Sequence, residues 1–442
     1  MKIEELSAVY REMGIVGAGG AGFPTYAKLN SKAETILLNC AECEPLLRLH
    51  RQLLKFHAPV IIDAFDKTRE VLGAKEGIVC IKDHYKGAIE AVTALLPKYP
   101  KLRIKILPIV YPAGDEVVMI YEATGKVVRP GGLPIEQGIA VFNVETMYNA
   151  YHALRGEPLT SKLVTVAGEV KNPMTVRVPL GVSLRELVEY AGGETVESSE
   201  YWTGGPMMGN PIAKDSPVTK TTNSVFVLPK DHYLLKKYNS DFRVETARAA
   251  ASCCQCKMCT DLCPRYNLGH PIEPHKIMLA AACNNFKDVS AFLNTFYCSA
   301  CGVCELYSCP QGLSPRKLIQ EVKGGLRNAG ITPPLGVEAK KVSPIREYRK
   351  VPLDRLVSRV GVKKYQANAP LDNRLIDGFK VVNIPTRQHI GAPSKTVVKL
   401  GDRVEKGQVI AKAADGLSVN IHASISGVVI GADDKNITIK AD

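Results

Sequence analysis

Two runs of cysteine residues constrain this chain more strongly than any other feature of its sequence. Each run places three cysteines within seven residues and a fourth directly before a proline; the eight are Cys253, Cys256, Cys259, Cys263, Cys298, Cys301, Cys304 and Cys309. Two such runs are the ligand set of two [4Fe-4S] clusters, because three thiolates hold one cube and the fourth reaches the neighbouring cube. On this rule Cys309 completes the first set and Cys263 completes the second. The pattern therefore predicts a protein that transfers single electrons.

Zinc and disulfides are the alternatives to iron for such a pattern. Zinc needs four ligands in two pairs, and two runs of three cysteines, each followed by Cys-Pro, contain more thiols than zinc would use. Four residues separate Cys304 from Cys309, where the usual run has three. The extra residue should be tolerated, because Cys309 serves the distant cluster. Cys254 could compete with Cys253 for ligation and Cys283 lies between the runs, but we expect both to be packed bystanders.

The length of the chain, 442 residues, exceeds one hydrophobic core and suggests three or four domains. The amino-terminal residues lack the apolar core of a signal peptide, and no apolar run approaches the ~18 residues of a membrane span. We therefore expect no membrane span and a cytoplasmic location. A reducing compartment also suits thiolate ligation of iron.

Positive charge is concentrated in one part of the chain. Between Gln311 and Lys364, 13 Lys or Arg residues outnumber 4 Asp or Glu residues. The stretch lacks interleaved aromatic residues and any base-reading motif, so we do not expect a nucleic-acid partner. Docking of an acidic electron carrier and a merely solvated face both remain open.

The amino-terminal residues alternate helical and strand patterns, which is typical of an α/β layer fold. The spacing predicts a first helix from Ile3 to Met13, buried strands at Thr35–Asn39 and Gly77–Lys82, and a helix over 86–96. The loop after the first helix has five glycines in the nine positions 14–22. Such a loop lets backbone N–H groups approach a phosphate, with Lys28 as a countercharge. A tight structural turn is the alternative.

This loop and three later blocks, which begin at Asn39, Tyr111 and Asn143, resemble the NADH-binding flavoprotein subunit of respiratory complex I in the same order. The resemblance implies that the region binds FMN and places NADH over it. The residues that it assigns to FMN are Gly17, Gly19, Gly20, Gly22, Lys28, Asn39, Glu42, Asn143 and Thr146. It places Phe23 and Glu44 toward the nicotinamide nucleotide.

Two departures from the complex I pattern concern the nucleotide more than FMN. Ala41 stands where the pattern has an acidic residue, and Asn30 or a neighbour replaces a second aromatic residue. The Ala-Glu-Cys-Glu-Pro version of the block is instead similar to the RnfC component of the Rnf complex. Cys40 and Cys43 lie in this block, and we expect them to be packing residues and not a redox couple.

The middle of the chain resembles an SLBB domain of the β-grasp type. Its pattern is strand, turn, strand and then a helix, for which Ser183 is the predicted N-cap and Glu186 the capping-box partner. The glycine- and methionine-rich loop 204–209 either forms a turn with adaptable methionine packing or lines a ligand site. A surface helix is predicted at Pro315–Asn328.

The last ninety residues are similar to the two halves of a biotinyl- or lipoyl-type barrel-sandwich. Their hairpin tip, 414–418, lacks the lysine of a carrier domain, so we expect a structural or docking module. The expected fold class is therefore α/β multidomain: a complex I flavoprotein-like α/β domain over 1–158, a β-grasp SLBB domain over 159–235, an α-helical two-[4Fe-4S] ferredoxin-like domain over 240–330, a basic linker over 331–360 and a β barrel-sandwich-hybrid domain over 361–442.

The order of these domains resembles that of the cobalamin reductases of propanediol-utilisation microcompartments, whereas in RnfC the barrel-sandwich comes first. The resemblance implies electron transfer from NADH through FMN and two clusters to a corrinoid, inside a bacterial microcompartment. It implies as partners a corrinoid or an adenosyltransferase, and shell or core enzymes. The alternatives are an NADH-recycling oxidoreductase with flavodoxin or ferredoxin as acceptor, and a non-catalytic electron conduit. We expect His270 and His275 to be helix-start or surface residues, not ligands.

Overall fold

A computed structural model of the chain describes residues 1–285 and 287–442. The first region contains a parallel sheet of four strands in the order β3-β2-β1-β5. The strands of this region are β1 (Thr35–Asn39), β2 (Glu76–Lys82), β3 (Leu102–Leu107), β4 (Val110–Tyr111) and β5 (Ile139–Asn143), of which β4 lies outside the four-stranded sheet. Its helices are α1 (Ile3–Glu12), α2 (Leu49–Leu72), α3 (Lys86–Thr93), α4 (Glu116–Thr124) and α5 (Val144–Ala153).

Side chains alternate across this sheet and so build two apolar layers. Ile36 and Leu38 pack with α2 and α5 on one face, whereas Leu37 packs with α4 on the other. The register pairs Asn39 with Asn143 at the carboxyl ends of the adjacent strands β1 and β5. Ligands of open parallel sheets bind at such strand ends.

The second region consists of one helix packed on a mixed sheet of six strands, the sixth of which comes from the carboxyl-terminal part of the chain. Its elements are β6 (Ser161–Gly168), β7 (Met174–Pro179), α6 (Leu184–Tyr190), β8 (Ser199–Thr203), β9 (Asn210–Ile212) and β10 (Ser224–Pro229). The predicted capping box is confirmed: the Ser183 hydroxyl accepts from the Glu186 N–H, and the Glu186 carboxylate accepts from the Ser183 N–H.

The cysteine region is built from short helices. They are α7 (Tyr233–Asn239), α8 (Phe242–Ser252), α9 (Met258–Asp261), α10 (Pro264–Asn267), α11 (Pro274–Cys283), α12 (Val289–Leu293) and α13 (Pro315–Asn328). The last has the predicted bounds. Within the part of the chain that the structure describes, no helix is both long and apolar enough to cross a membrane.

The carboxyl-terminal elements are β11 (Val351–Pro352), α14 (Leu353–Arg359), β12 (Leu371–Leu375), β13 (Val381–Pro385), β14 (Lys395–Thr396), β15 (Arg403–Val404), β16 (Val409–Lys412), β17 (Ile421–His422), β18 (Gly427–Ala432) and β19 (Asn436–Ala441). The strands after β12 form two facing sheets, in the orders β13-β19-β18-β15 and β14-β16-β17. Their hairpin tip packs against the first region. The Arg11 guanidinium donates to the Ala414 carbonyl, and the Tyr26 hydroxyl donates to the Gly416 carbonyl.

The stretch predicted as a linker over 331–360 differs from that expectation. Within it, Val351 pairs with Tyr111 of the first region, and α14 follows directly. Beyond it, β12 lies in the range expected for the barrel-sandwich domain but extends the sheet of the second region beside β7. Several basic side chains of the stretch form internal ion pairs: Arg346 with Glu122, Arg349 with Asp261, and Lys350 with Glu122. The local excess of positive charge therefore partly joins the regions to one another instead of facing a partner.

Candidate functional site

A cavity of about 430 Å³ opens at the carboxyl ends of β1 and β5. Its volume lies within the ~300–1,000 Å³ that is common for small-molecule sites. Ten of the eleven residues predicted to bind FMN or the nucleotide line it: Gly17, Gly19, Gly20, Phe23, Lys28, Asn39, Glu42, Glu44, Asn143 and Thr146. Gly22 does not line the cavity; it packs against the second region, where an added Cβ would be 2.7 Å from Thr221 Cγ2.

The glycine loop is held in place by its own backbone and by α5. The Gly17 N–H donates to the Phe23 carbonyl at 2.9 Å, and the Ala18 N–H donates to Thr146 Oγ1 at 3.0 Å. Gly20 has φ +63°, a left-handed conformation that favours glycine. Lys28 Nζ donates to the Val141 carbonyl and lies 3.7 Å from the Glu116 carboxylate at the rim.

Asn39 and Asn143 shape the floor of the cavity through bonds to the backbone. Asn143 Oδ1 caps α5 by accepting from the Glu145 and Thr146 N–H groups. Asn39 Nδ2 donates to the Gly114 carbonyl, and its Oδ1 accepts from the Ala41 N–H. Both side chains therefore already have hydrogen-bond partners within the protein.

Two carboxyl groups lie in the cavity wall, of which Glu42 is buried and Glu44 is half-buried. Burial raises the pKa of Glu42 to about 7, against the opposing effect of the hydrogen bond from the His50 N–H. Burial likewise raises the pKa of Glu44 to about 7, against the hydrogen bond from the Met207 N–H. Burial lowers the pKa of His50 to about 4, which keeps this imidazole neutral. Carboxyls that titrate near neutral pH can exchange protons with a bound group.

The polar atoms of the cavity fit a polar ligand. Thr25 Oγ1, His50 Nδ1 and Asn223 Oδ1 are buried without a hydrogen-bond partner among the described residues, and all three residues line the cavity. Buried polar groups normally have partners. The phosphate, hydroxyl and ring polar atoms of FMN would supply them. Sequence reasoning missed these residues, since Asn223 belongs to another region and His50 is brought in by the start of α2.

The eight cysteines form two groups around two further cavities. One cavity is lined by Cys253, Cys256, Cys259 and Cys309, and the other by Cys263, Cys298, Cys301 and Cys304. This is the crossed grouping that the Cys-Pro rule predicts. We call the four cysteines around the first of these cavities, which include Cys253 and Cys309, the first set, and the four around the other, which include Cys263 and Cys298, the second set.

The lining of the two cysteine cavities indicates which metal group they would hold. A single zinc draws its ligands into one tight tetrahedron, whereas a cube of four irons and four sulfides spreads its thiolates over four corners. Each set of four thiols surrounds a cavity, as a cube requires.

The additional residue between Cys304 and Cys309 is absorbed by a π-helical turn over Val303–Ser308. Such a turn accommodates one residue more than an α-helical turn. Backbone N–H groups of Ala300 and Leu313 donate to the thiols of Cys298 and Cys309. Hydrogen bonds to sulfur are among the features that set a cluster's reduction potential.

Four further residues of the cysteine region are predicted not to be ligands. Cys254 and Cys283 are exposed, so the expectation that they are packed is wrong. His270 is also not a surface residue: it is buried, with Nε2 2.9 Å from the Val128 carbonyl, a contact 142 residues distant in sequence. His275 lies in the first turn of a helix, α11, as expected, and it lines the cavity of the first set.

The cysteines of the flavin block have different surroundings. Cys40 is fully buried in the core beneath the sheet. Cys43 lines the flavin cavity, and burial raises the pKa of its thiol to about 11. A thiol with such a pKa is protonated near neutral pH.

The second set lies next to the flavin cavity. The Tyr111 hydroxyl is 2.7 Å from the Cys301 carbonyl and 3.4 Å from Glu44 Oε1. Glu44 Oε2 accepts from the Met207 N–H of the loop 204–209. An added Cβ on Gly205 would be 2.0 Å from Glu44 Oε2, so this close approach requires glycine. The loop thus forms a turn with Met207 packed in the core, as one of the two interpretations predicts, and it also makes a contact between the two sites.

The first set lies beside the second and nearer to solvent. Helix α9 packs against the π-helical turn of the second set. Cys301 and Cys304 are buried, whereas Cys256 of the first set is exposed. The order is therefore flavin cavity, second set, first set and then solvent.

Four family models match the chain in succession. They are the Nuo51 FMN-binding domain at 10–152, the SLBB domain at 163–211, the 4Fe-4S dicluster domain at 252–314 and the RnfC barrel sandwich hybrid domain at 359–441. These matches confirm the α/β multidomain fold class and the FMN and iron–sulfur cofactors.

Cobalamin reductase PduS of Salmonella typhimurium is 40% identical over 444 residues, which span 99% of this chain and 97% of that protein. The chain belongs to the PduS family. Another PduS, from Citrobacter freundii, is 40% identical over 97% of the chain and 95% of its own length. Like its relatives, this PduS-family chain is an electron-transfer oxidoreductase.

More distant relatives share parts of the PduS-family chain. The RnfC-type component of the Na(+)-translocating ferredoxin:NAD(+) oxidoreductase complex of Acetobacterium woodii is 31% identical over 60% of the chain and 58% of its own length. A crystal structure of NAD+-reducing [NiFe]-hydrogenase in the H2-reduced state matches with a TM-score of 0.50 and 20% identity, over 76% of the chain and 64% of the hydrogenase chain. The latter likeness shows a shared fold.

Proposed function

We propose that this chain is an NADH-dependent reductase that supplies single electrons to a corrinoid. It would reduce cob(III)alamin and cob(II)alamin and so support regeneration of adenosylcobalamin. The name of two relatives that match nearly the whole chain, cobalamin reductase, supports the choice of acceptor.

The observation that carries the proposal is the contact of the flavin cavity with the second set of cysteines. Glu44 lines the cavity, and Tyr111 lies between Glu44 and the backbone of Cys301. FMN bound in the cavity would accept hydride from NADH and release the electrons one at a time. The second set is then the nearest acceptor.

The cavity residues have separate tasks in this proposal. The glycine loop and Lys28 would hold the flavin phosphate, with Lys28 as its countercharge. Glu42 and Glu44 hold or release protons near neutral pH. Phe23, which is 38% exposed, offers its ring face to the nicotinamide nucleotide at the cavity mouth.

The acceptor would dock at the first set, where Cys256 and Lys257 are exposed. The Arg359 guanidinium donates to the Cys309 carbonyl at 3.1 Å and adds positive charge beside this set. Proposed partners are a corrinoid or the adenosyltransferase that holds it, and shell or core enzymes of a microcompartment. The proposed location is the cytoplasm, inside that microcompartment.

A second acceptor is a flavodoxin or a ferredoxin, which the positive charge around the exposed first set favours. Such carriers are commonly acidic, and electrostatic steering suits brief encounters. The unpartnered polar atoms in the flavin cavity argue against a conduit that binds no cofactor there.

The test is an anaerobic acceptor assay with the purified, cluster-loaded protein. NADH should bleach the flavin and iron–sulfur absorbance, and adding cob(III)alamin should restore it with formation of cob(II)alamin. The rate of electron transfer is measured in parallel with two other acceptors. One is cob(II)alamin together with a corrinoid adenosyltransferase, and the other is flavodoxin. Faster turnover with flavodoxin than with either corrinoid would refute the corrinoid assignment, and intact clusters without any response to NADH would refute the enzyme.

A further inference from the structure

A short segment of the β-grasp region, Thr219–Asn223, lies behind and beneath the glycine loop. An added Cβ on Gly22 would be 2.7 Å from Thr221 Cγ2, and an added Cβ on Gly19 would be 3.5 Å from Asn223 Nδ2. The segment falls outside all four matched family ranges, between the SLBB domain and the dicluster domain.

The segment is held by hydrogen bonds to two other regions of the chain, the first region and the carboxyl-terminal region. Lys220 Nζ is buried and donates to the Gly14 carbonyl at 2.8 Å and to the Asn420 carbonyl at 3.1 Å. The Lys220 N–H donates to Gln388 Oε1. A reciprocal turn also closes the segment, since the Thr219 N–H donates to Thr222 Oγ1. These bonds hold the end of the segment at one position beside the glycine loop.

Asn223 has hydrogen-bonding capacity to spare at this position. It lines the flavin cavity, and its buried Oδ1 has no hydrogen-bond partner in the described part of the chain. The amides of Asn39 and Asn143, by contrast, are already bonded to backbone groups. A buried acceptor on a segment held in this way is the arrangement expected when the partner belongs to a ligand.

We infer that Asn223 is a flavin-binding residue, whose Oδ1 accepts a hydrogen bond from FMN. The donors that FMN offers are the ring N3–H and the ribityl hydroxyl groups. Binding by Asn223 makes the β-grasp region part of the flavin site and couples its position to flavin occupancy. The inference rests on FMN occupying this cavity, as the proposed function requires.

The test measures FMN affinity and flavin potential in purified, cluster-loaded protein freed of FMN. Binding is followed by quenching of FMN fluorescence. Asn223→Ala should bind FMN up to about tenfold more weakly, which corresponds to the loss of one neutral hydrogen bond. Asn223→Asp should lower the flavin midpoint potential, because an added negative charge disfavours the electron-rich reduced flavin. Iron content should be unchanged in both.

Asn210 provides a matched control, because it is exposed on the same region and its side chain bonds to the neighbouring Pro211 carbonyl. Asn210→Ala and Asn210→Asp should leave both FMN affinity and potential unchanged. Should Asn223→Ala fold poorly, the isosteric Asn223→Asp carries the test through the potential. Unchanged affinity and potential in the Asn223 variants would overturn the inference, whereas wild-type protein that binds no FMN would overturn the proposed function itself.

Discussion

Lys162 and Glu145 form a buried ion pair that joins the β-grasp region to the floor of the flavin cavity. Lys162 lies on β6 and Glu145 in the first turn of α5, with Nζ 2.5 Å from Oε2 and side chains only 1% and 2% exposed. Removing one partner of a buried pair leaves an uncompensated charge and costs about 3–5 kcal/mol. Lys162→Met should therefore lower the free energy of unfolding by about 3–5 kcal/mol.

Replacing both partners should cost much less. A double variant, Lys162→Met with Glu145→Leu, leaves no buried charge, and apolar replacements of buried pairs are often neutral. The single tryptophan, Trp202, lies buried in the β-grasp region and reports its unfolding by fluorescence in a denaturant titration. Arg185→Met is the control, because its pair with Asp215 is 46% and 73% exposed and should change the free energy of unfolding little.

Two results would refute this account of the interface. One is a loss below about 1 kcal/mol for Lys162→Met, which would mean that water reaches the remaining carboxylate. The other is a double variant as unstable as the sum of the single variants, because additivity means that the two groups do not interact. FMN retention should fall with Lys162→Met, since Glu145 precedes Thr146 and its N–H is capped by Asn143 in the cavity floor.

Three further substitutions test the sites. Cys309→Ser should remove the cluster of the first set and leave that of the second, as measured by iron content and EPR; loss of the second set's signal would contradict the crossed grouping. Lys28→Ala should weaken FMN retention without loss of iron, and unchanged flavin content after gel filtration would contradict the phosphate role. Burial raises the pKa of Glu44 from 4.5 to about 7, so the folded state binds an extra proton between these values and the free energy of unfolding should fall as pH rises through them. Glu44→Gln mimics the protonated acid and should make this fall smaller when unfolding is followed by Trp202 fluorescence. An unchanged pH dependence in the variant would contradict the raised pKa of Glu44.

Local signals in the sequence predicted local structure well. The helix Pro315–Asn328 has its predicted bounds because proline at the first turn and an amphipathic pattern mark it. The capping box at Ser183 was recognisable from two residues three apart. The crossed grouping of Cys263 and Cys309 follows from a spacing rule, since the proline after each fourth cysteine turns the chain away from its own run.

Contacts between distant parts of the chain carry no such signal. Tyr111 and Cys301 are 190 residues apart, and neither shows by its type that one bonds to the other. The pairing of Val351 with Tyr111 gives the predicted linker one short strand that its sequence does not indicate. Asn223 joins the flavin cavity through the packing of two regions, and His270 is buried by a contact with Val128. Such residues become visible only when the regions are assembled.

The route from the flavin cavity through the second set to the first set is tested most directly in the Cys309→Ser variant. Anaerobic, NADH-treated samples are divided between EPR of the remaining cluster and mixing with cob(III)alamin. The second cluster should be reduced, and cob(II)alamin should form much more slowly, because the exposed first set at Cys256 has lost its cluster. Cob(II)alamin formation at the wild-type rate, with the first cluster absent, would contradict the route.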